Sequence, residues 1–392
     1  MKKVFYWSML LFIFSIPISS YVSTKLLVIV FVISLLTKAS GKRSLALEMR
    51  KSWDILAFLL ILIIGLINTD DIETGFKVLE TSFSLLALLV VFTRLNKSEG
   101  LVSHIFISFM SGLLVACLIS LGTAGVSFIG SGNFQDFFYY QLTEVIQLHP
   151  TYLAYYLIAS ITYIVYIIFY NLEKKRMSAW IAIVFFFFLM LVLTGGRTTY
   201  VSLLLIFSFF ILKYILENKT KEKAIVFSVV LILLVSLFAI NSTTFFNLKF
   251  SQHSDYWERS ILWKSAILAN PNPLQGVGTG DYKTVLNEYY QSHGMKEYAI
   301  DSFNSHNQFI QVYFSNGVIG LIFLLLLIGR PIYLSMKSQN ILGILLLFPF
   351  VIYGVTEVFL GRYQGVVFFA LLHQIVIYQH YSSKPSFALD AS

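Results

Sequence analysis

Long, continuously apolar stretches separated by short polar breaks run through most of this 392-residue chain. A helix needs roughly 20 mostly apolar residues to cross the hydrocarbon core of a bilayer, and about twelve stretches approach that length. The first five lie near 4–20, 22–38, 54–69, 76–94 and 101–121. Four more lie near 150–170, 179–194, 199–216 and 224–240, and the last three near 308–328, 341–359 and 365–380. The runs do not alternate as the strands of a transmembrane barrel would, so the pattern predicts an all-α, polytopic membrane protein with about 12 transmembrane helices. Residues 1–392 read as a single membrane-embedded domain. Two polar intervals interrupt it, a first loop over 122–149 and a large, partly helical loop over 241–307 between spans 9 and 10.

Composition agrees with that pattern. The chain is 57% hydrophobic and 12% charged, with a mean hydropathy of +0.77. A soluble domain carries about 25% charged residues, so a water-soluble enzyme, a disordered chain and a nucleic-acid-binding domain are excluded. Membrane lipids are expected partners and nucleic acid is not. The net charge of +8 matters less than where the basic residues fall, because short cytoplasmic loops carry the excess of Lys and Arg. With twelve spans threaded, Lys2, Lys3, Lys38, Lys42, Arg43, Arg50, Lys51, Arg94, Lys97, Lys174, Lys175, Arg176, Lys219, Lys221, Lys223, Arg330, Lys337 and Lys384 share one side. Both termini are then cytoplasmic, and both long loops lie on the opposite side of the membrane with Asp70, Asp71 and Glu73. Lys2, Lys3, an apolar core and Ile18-Ser19-Ser20 also fit a secretory signal peptide. The retained first span is the preferred reading, and cleavage would leave the other spans oriented as before.

Cys117 is the single cysteine and lies in an apolar run, so neither an intramolecular disulfide nor a thiolate metal cage can be built. No sustained repeat relates the two halves, which weighs against a transporter made of duplicated units. His104, Glu80 and His373 are the main ionisable groups placed at depth; a helix-end or interhelical hydrogen-bonding role is preferred for each over a proton relay.

Polar chemistry gathers on the loop side. In Thr194-Gly195-Gly196-Arg197-Thr198-Thr199-Tyr200, two glycines permit a tight turn and place Arg197 at the start of a helix, whose free N–H groups favour an anion. The alternative is an interfacial Arg that snorkels to lipid phosphates. In the long loop, Asp255 followed by Glu258 resembles a capping box, Tyr256 to Leu268 is amphipathic, and Asn270-Pro271 ends the segment. That predicts a short helix on the membrane surface, with Trp257 and Trp263 in the headgroup zone. The helix presents Arg259, either to a ligand or only to Asp255 one turn back.

Gly276, Gly278 and Gly280 follow in Asn272-Pro273-Leu274-Gln275-Gly276-Val277-Gly278-Thr279-Gly280-Asp281-Tyr282. The third glycine is misplaced for GxGxxG and no strand precedes it, so the string reads as a backbone turn into a helix capped by Asp281. Ser305-His306-Asn307-Gln308 then opens the tenth span ahead of Asn316-Gly317. An imidazole there can serve as a general base, its ordinary pKa lying near 6.5. A purely structural histidine is the competing reading.

Taken together, these motifs resemble the O-antigen ligase and O-antigen polymerase superfamily of membrane glycosyltransferases. The resemblance rests on the Gly-Gly-Arg197-Thr turn, on Arg259 to Trp263 leading into Asn272 to Gly278, and on His306-Asn307-Gln308 before Gly317, with His149-Pro150-Thr151-Tyr152 ahead of the sixth span. It covers about 149–325 in detail. It implies metal-independent transfer of a glycan from an undecaprenyl-diphosphate carrier to an acceptor hydroxyl on the periplasmic face, with no cofactor. No DxD motif and no His/carboxylate cluster at ligand spacing stands on that face. Arg197 and Arg259 would hold the diphosphate, permanently charged and able to grip phosphate oxygens in pairs. His306 would take the proton of the attacking hydroxyl, giving inversion. Asn307, Gln308, His149 and Tyr282 are further candidates for hydrogen bonds to sugar or phosphate. One dominant loop favours a ligase that uses lipid A core as acceptor; a polymerase elongating the carrier-linked glycan is the alternative, and a flippase or transporter the reading from another class.

Overall fold

The computed structural model describes residues 1–37, 46, 49–95, 100–170, 172, 176–216 and 255–382. Helices are the regular structure throughout, with no strand among the described residues. They are α1 (Lys2–Ser15), α2 (Ser20–Leu36), α3 (Trp53–Ile64), α4 (Ile72–Thr93), α5 (Leu101–Ser131), the short α6 (Tyr139–Thr143), α7 (Pro150–Phe169), α8 (Met177–Thr194) and α9 (Arg197–Leu216). The long loop contributes α10 (Asp255–Leu268), α11 (Tyr282–Ser292) and α12 (Lys296–Ile300), and the chain continues through α13 (Gln308–Lys337), α14 (Ile341–Thr356) and α15 (Tyr363–Ser382).

Among the described residues, five helices are long and apolar enough to cross a membrane: α4, α5, α7, α8 and α13. Ser20–Leu36, Thr198–Lys213 and Ile341–Thr356 are shorter apolar helices. This is a membrane protein, and the structure establishes fewer crossing helices than the twelve expected from hydropathy. The span expected over 224–240 lies outside the described residues. α5 also differs from expectation, since it runs on through Ser131 where the first loop was expected to begin near 122.

The chain divides into two compact units, one of residues 1–9, 24–102 and 255–392, the other of residues 10–23 and 103–254. In the second unit, α7 is buried along nearly its whole length, which explains why its sequence is apolar all round rather than amphipathic. Phe106 stacks on Tyr163 with centroids 4.1 Å apart, and Phe109 meets Tyr156 edge to face. At Gly112 a side chain would run into the backbone of Phe14. The missing Cβ lets the two helices touch, as small residues do in membrane bundles.

In the first unit, α13 packs against α3, α14 and α15. Gly317 breaks α13 with φ 65° and ψ −165°, a conformation that only glycine adopts without strain. The break leaves nearby carbonyls without their helical partners, and the long loop supplies new ones. Val277 N donates to Phe314 O and Gly278 N to Ser315 O, both at 2.9 Å, while Val318 N donates to Pro273 O at 2.9 Å. The glycine string is thus a clasp seated in the kink of α13.

A buried polar cluster lies farther along α13. Arg330 Nη1 donates to Asp54 Oδ1 at 2.9 Å, and His373 Nε2 lies 2.8 Å from Asp54 Oδ2. Gln374 Nε2 approaches His373 Nδ1 at 3.4 Å and donates to Ser52 Oγ at 3.1 Å. Arg330 also donates to Lys51 O and lies over the Trp53 ring. His373 is an interhelical hydrogen-bonding residue, the role preferred from sequence, and Asp54 is the partner that the sequence did not name. Glu80 is exposed along an apolar groove lined by Leu27, Phe76, Phe83 and Tyr363.

Candidate functional site

The polar start of α13 is built by its own side chains. Asn307 caps the helix, its Oδ1 accepting from Phe309 N at 2.9 Å and Ile310 N at 3.1 Å. Ser305 Oγ donates to Asn307 O at 2.9 Å and lies 3.2 Å from Gln311 Oε1. Asn304 Oδ1 accepts from His306 N at 2.8 Å. Between these fixed neighbours, His306 adopts φ 43°, a left-handed conformation uncommon for a residue with a Cβ. Strain of this kind persists where surrounding contacts over-determine the backbone. The His306 side chain is one-third exposed.

The turn between α14 and α15 meets this segment. Gln308 Oε1, itself buried, accepts from Leu360 N at 2.7 Å. Gly354, in the last turn of α14, faces the Phe309 ring so closely that a Cβ would lie 2.9 Å from Phe309 Cε2. These two contacts bring Glu357 Oε2 to 3.7 Å from His306 Nδ1. The distance is too long for a hydrogen bond but suits an ion pair. Sequence reading did not single out Glu357. Its only signal was an acidic residue at the end of an apolar span, and nothing local says that it faces a residue fifty positions earlier.

Arg259 stands on α10, half-buried, with no hydrogen bond or ion pair among the described residues. The pairing to Asp255 considered from sequence involves a side chain outside the described ones, as do the expected Glu258 cap and Trp257. α10 does not use its apolar face as expected. Leu262 and Ala266 are buried with Leu286, Tyr290 and Phe314, and Trp263 packs against that cluster instead of facing headgroups. The reason is that α11, α12 and the first turns of α13 already offer an apolar surface. Arg259 is therefore presented from the same small core that carries the start of α13. Tyr282 packs against this core too, and burial pushes its phenol pKa up, with Asp71 adding to the effect.

The clasp closes the other side. Thr279 N donates to Gly65 O at 3.1 Å, Thr279 Oγ1 to Leu62 O at 2.8 Å, and Asn316 Nδ2 to Thr279 Oγ1 at 2.9 Å. Gly276 N donates to Asn272 O and Gly280 N to Thr69 Oγ1. Every N–H from Gly276 to Gly280 thus has a protein acceptor, so none is left to cradle a phosphate. The reading of the string as a backbone turn holds. The expected cap does not, because the Asp281 side chain makes no bond to its own helix. Its carboxylate accepts instead from Asp70 N at 2.9 Å and Asp71 N at 2.7 Å. Those amides open α4, where free N–H groups attract a carboxylate. Asp71 caps α4 through Thr74 N, which holds its own pKa below the usual carboxylate value.

In the second unit, His149 caps α7, with Nδ1 accepting from Thr151 N at 3.2 Å and Nε2 lying 2.7 Å from Tyr140 Oη. An accepting Nδ1 fixes the neutral ring as the Nε2–H tautomer, so Nε2–H donates to Tyr140 Oη. Pro150 follows at the first helical position, where its missing N–H costs nothing. Arg197 is the first residue of α9, after Gly195 at φ 65°, as the turn motif predicts. Its side chain lies outside the described ones.

Residues 181–325 match the family model described as O-antigen ligase. The match supports the O-antigen ligase superfamily that the motifs resemble, and with it a function of the general ligase or polymerase type. It takes in the Arg197 turn, α10 to α12, the clasp and the start of α13. A protein of Haemophilus influenzae, described as uncharacterized, is 25% identical over 132 residues, 31% of this chain and 33% of that protein. The aligned part thus spans about a third of that relative's length.

Proposed function

We propose that this protein transfers a glycan from an undecaprenyl-diphosphate carrier to a hydroxyl of lipid A core, at the periplasmic face of the bacterial inner membrane. The observation that carries this reading is His306, held in a strained, partly open position at the head of α13 within the region similar to O-antigen ligases. In this reading His306 accepts the acceptor's hydroxyl proton as the oxygen attacks the anomeric carbon. The bond from that carbon to the diphosphate oxygen breaks, and its electron pair leaves with the diphosphate. Attack opposite the leaving group inverts the anomeric centre.

Arg259 and Arg197 take the diphosphate. Among the described residues the Arg259 guanidinium makes no hydrogen bond or ion pair, and a guanidinium can grip phosphate oxygens in pairs while its fixed positive charge offsets the negative charge that develops on the leaving oxygen. Asn307 and Gln308, both buried, hold the turn that carries His306. Tyr282 supplies a further hydrogen bond to sugar or phosphate, whereas both ring nitrogens of His149 are taken up by Thr151 and Tyr140. No metal or cofactor takes part.

The test is transfer by purified protein from a synthetic undecaprenyl-diphosphate glycan to lipid A core, with EDTA present. Product on lipid A core is the expected result. Elongation of the carrier-linked glycan alone would make the protein a polymerase, and failure with both acceptors would return it to the transporter class.

A further inference from the structure

Glu357 Oε2 lies 3.7 Å from His306 Nδ1, and it reaches there by a different route from the motif that contains the histidine. It ends α14 in extended conformation, with φ −147° and ψ 151°, while its N–H donates to Tyr353 O at 2.7 Å. The helix therefore stops at this residue, and the extended backbone carries its side chain toward the start of α13. The Gln308–Leu360 hydrogen bond and the Phe309–Gly354 contact lie on either side of it in sequence and leave the turn little freedom to shift.

We propose that Glu357 is the positioning partner of His306, and that together they form the proton-accepting dyad of the transfer reaction. The inference rests on the function proposed above and assigns one more residue to it. Glu357 faces Nδ1, so the opposite ring nitrogen, Nε2, is the one left to meet an acceptor hydroxyl. When Nε2 takes that proton the ring becomes an imidazolium, and the carboxylate 3.7 Å away stabilises the new charge. Contacts that strengthen only as the proton moves lower the barrier rather than the substrate's dissociation constant. A base oriented by a third group is a recurrent arrangement in nucleophilic catalysis. Both side chains keep partial exposure, 33% for His306 and 26% for Glu357, so an acceptor can approach the ring.

The experiment compares Glu357→Gln, Glu357→Asp and His306→Ala with the parent in steady-state transfer, with thermal unfolding in the same detergent. Glutamine keeps the shape and removes the charge. The expected result is a kcat lower by about tenfold or more in Glu357→Gln, part of the roughly 10²–10⁴ that a general base supplies. KM for donor and acceptor and the unfolding midpoint should stay at parental values, and Glu357→Asp should recover part of kcat. Parental kcat in Glu357→Gln beside an inactive His306→Ala would overturn the dyad and leave the base intact. Equal losses in the Gln and Asp variants with a lowered unfolding midpoint would reduce Glu357 to a structural role. Full activity in His306→Ala would remove the base itself, and absence of transfer by the parent would remove both readings.

Discussion

Two carboxylate–histidine contacts lie along α13, Glu357 with His306 before its first turn and Asp54 with His373 and Arg330 toward its far end, separated by roughly 30 Å of helix. Around Asp54 each charged or polar atom has a near neighbour. The carboxylate and imidazole are fully buried, Arg330 is 12% exposed, and the contacts are 2.8–2.9 Å. Around His306 the contact is 3.7 Å, both partners are partly open, and the backbone is strained. A closed set of short bonds has nothing left to offer a ligand, so the Asp54 cluster joins α3, α13 and α15. A longer contact between two partly exposed side chains leaves the imidazole open to solvent. The same two residue types thus serve packing in one place and, in the proposed reading, chemistry in the other, and what separates them is contact distance and exposure.

That contrast can be broken from either end. The largest expected effect is on His306→Ala and Arg259→Ala, which should each lower the transfer rate by about 10²–10⁴-fold, with unfolding midpoint unchanged. Rates near those of the parent in both would remove the chemical half of the comparison. Next is Asp54→Ala, which leaves Arg330 and His373 buried without their carboxylate and should cost about 3–5 kcal/mol of stability. Activity per folded molecule should persist, as read by transfer assays on the monodisperse fraction. Replacing Asp54 and Arg330 together by Leu and Met should recover much of that stability, because an apolar pair of similar size also removes the desolvation cost.

Gly317→Ala comes third. It forces a Cβ into the Leu274 carbonyl in a backbone conformation reserved for glycine, costing about 1–3 kcal/mol. Since the clasp also sets the start of α13, activity and stability should fall together, unlike either variant above; parental activity would show that the clasp does not position the site. The smallest effect belongs to Asn340→Ala, which removes the α14 cap on Gly343 N and should cost about 1 kcal/mol. It lies away from the His306 turn, so the transfer rate should be unaffected, and a fall in rate would couple the two ends of the unit.

Much of the candidate site was legible in the sequence because its markers are local. Gly-Gly before Arg197 announces a tight turn, and the misplaced third glycine rules out a dinucleotide loop. Each follows from properties of neighbouring residues. Asp281 illustrates the limit. An Asp before a helix is ordinarily its cap, but the amides of Asp70 and Asp71 lie closer to hand in space and won its carboxylate. Trp263 follows the same logic, since amphipathicity identifies an apolar face without saying whether lipid or protein will cover it. The length of α5 escaped as well: its apolar run was expected to end near 121, yet the helix continues through Gly122, Gly125 and Gly130 to Ser131.

The sequence by itself determined that this is an α-helical membrane protein, where polar side chains are sparse enough to be noticed, and which short motifs resemble a glycosyltransferase family. Those properties depend on hydropathy and on spacing of a few residues, both written along the chain. Only the tertiary structure decided that Glu357 faces His306, that Asp54 joins Arg330 and His373, and that the glycine string fills the break at Gly317. Each of these joins residues far apart in sequence, and their pairing follows from which helices pack together and how they are rotated. Many sequences with the same apolar pattern could satisfy the membrane, but the buried polar groups select one packing because each must find its partner in it.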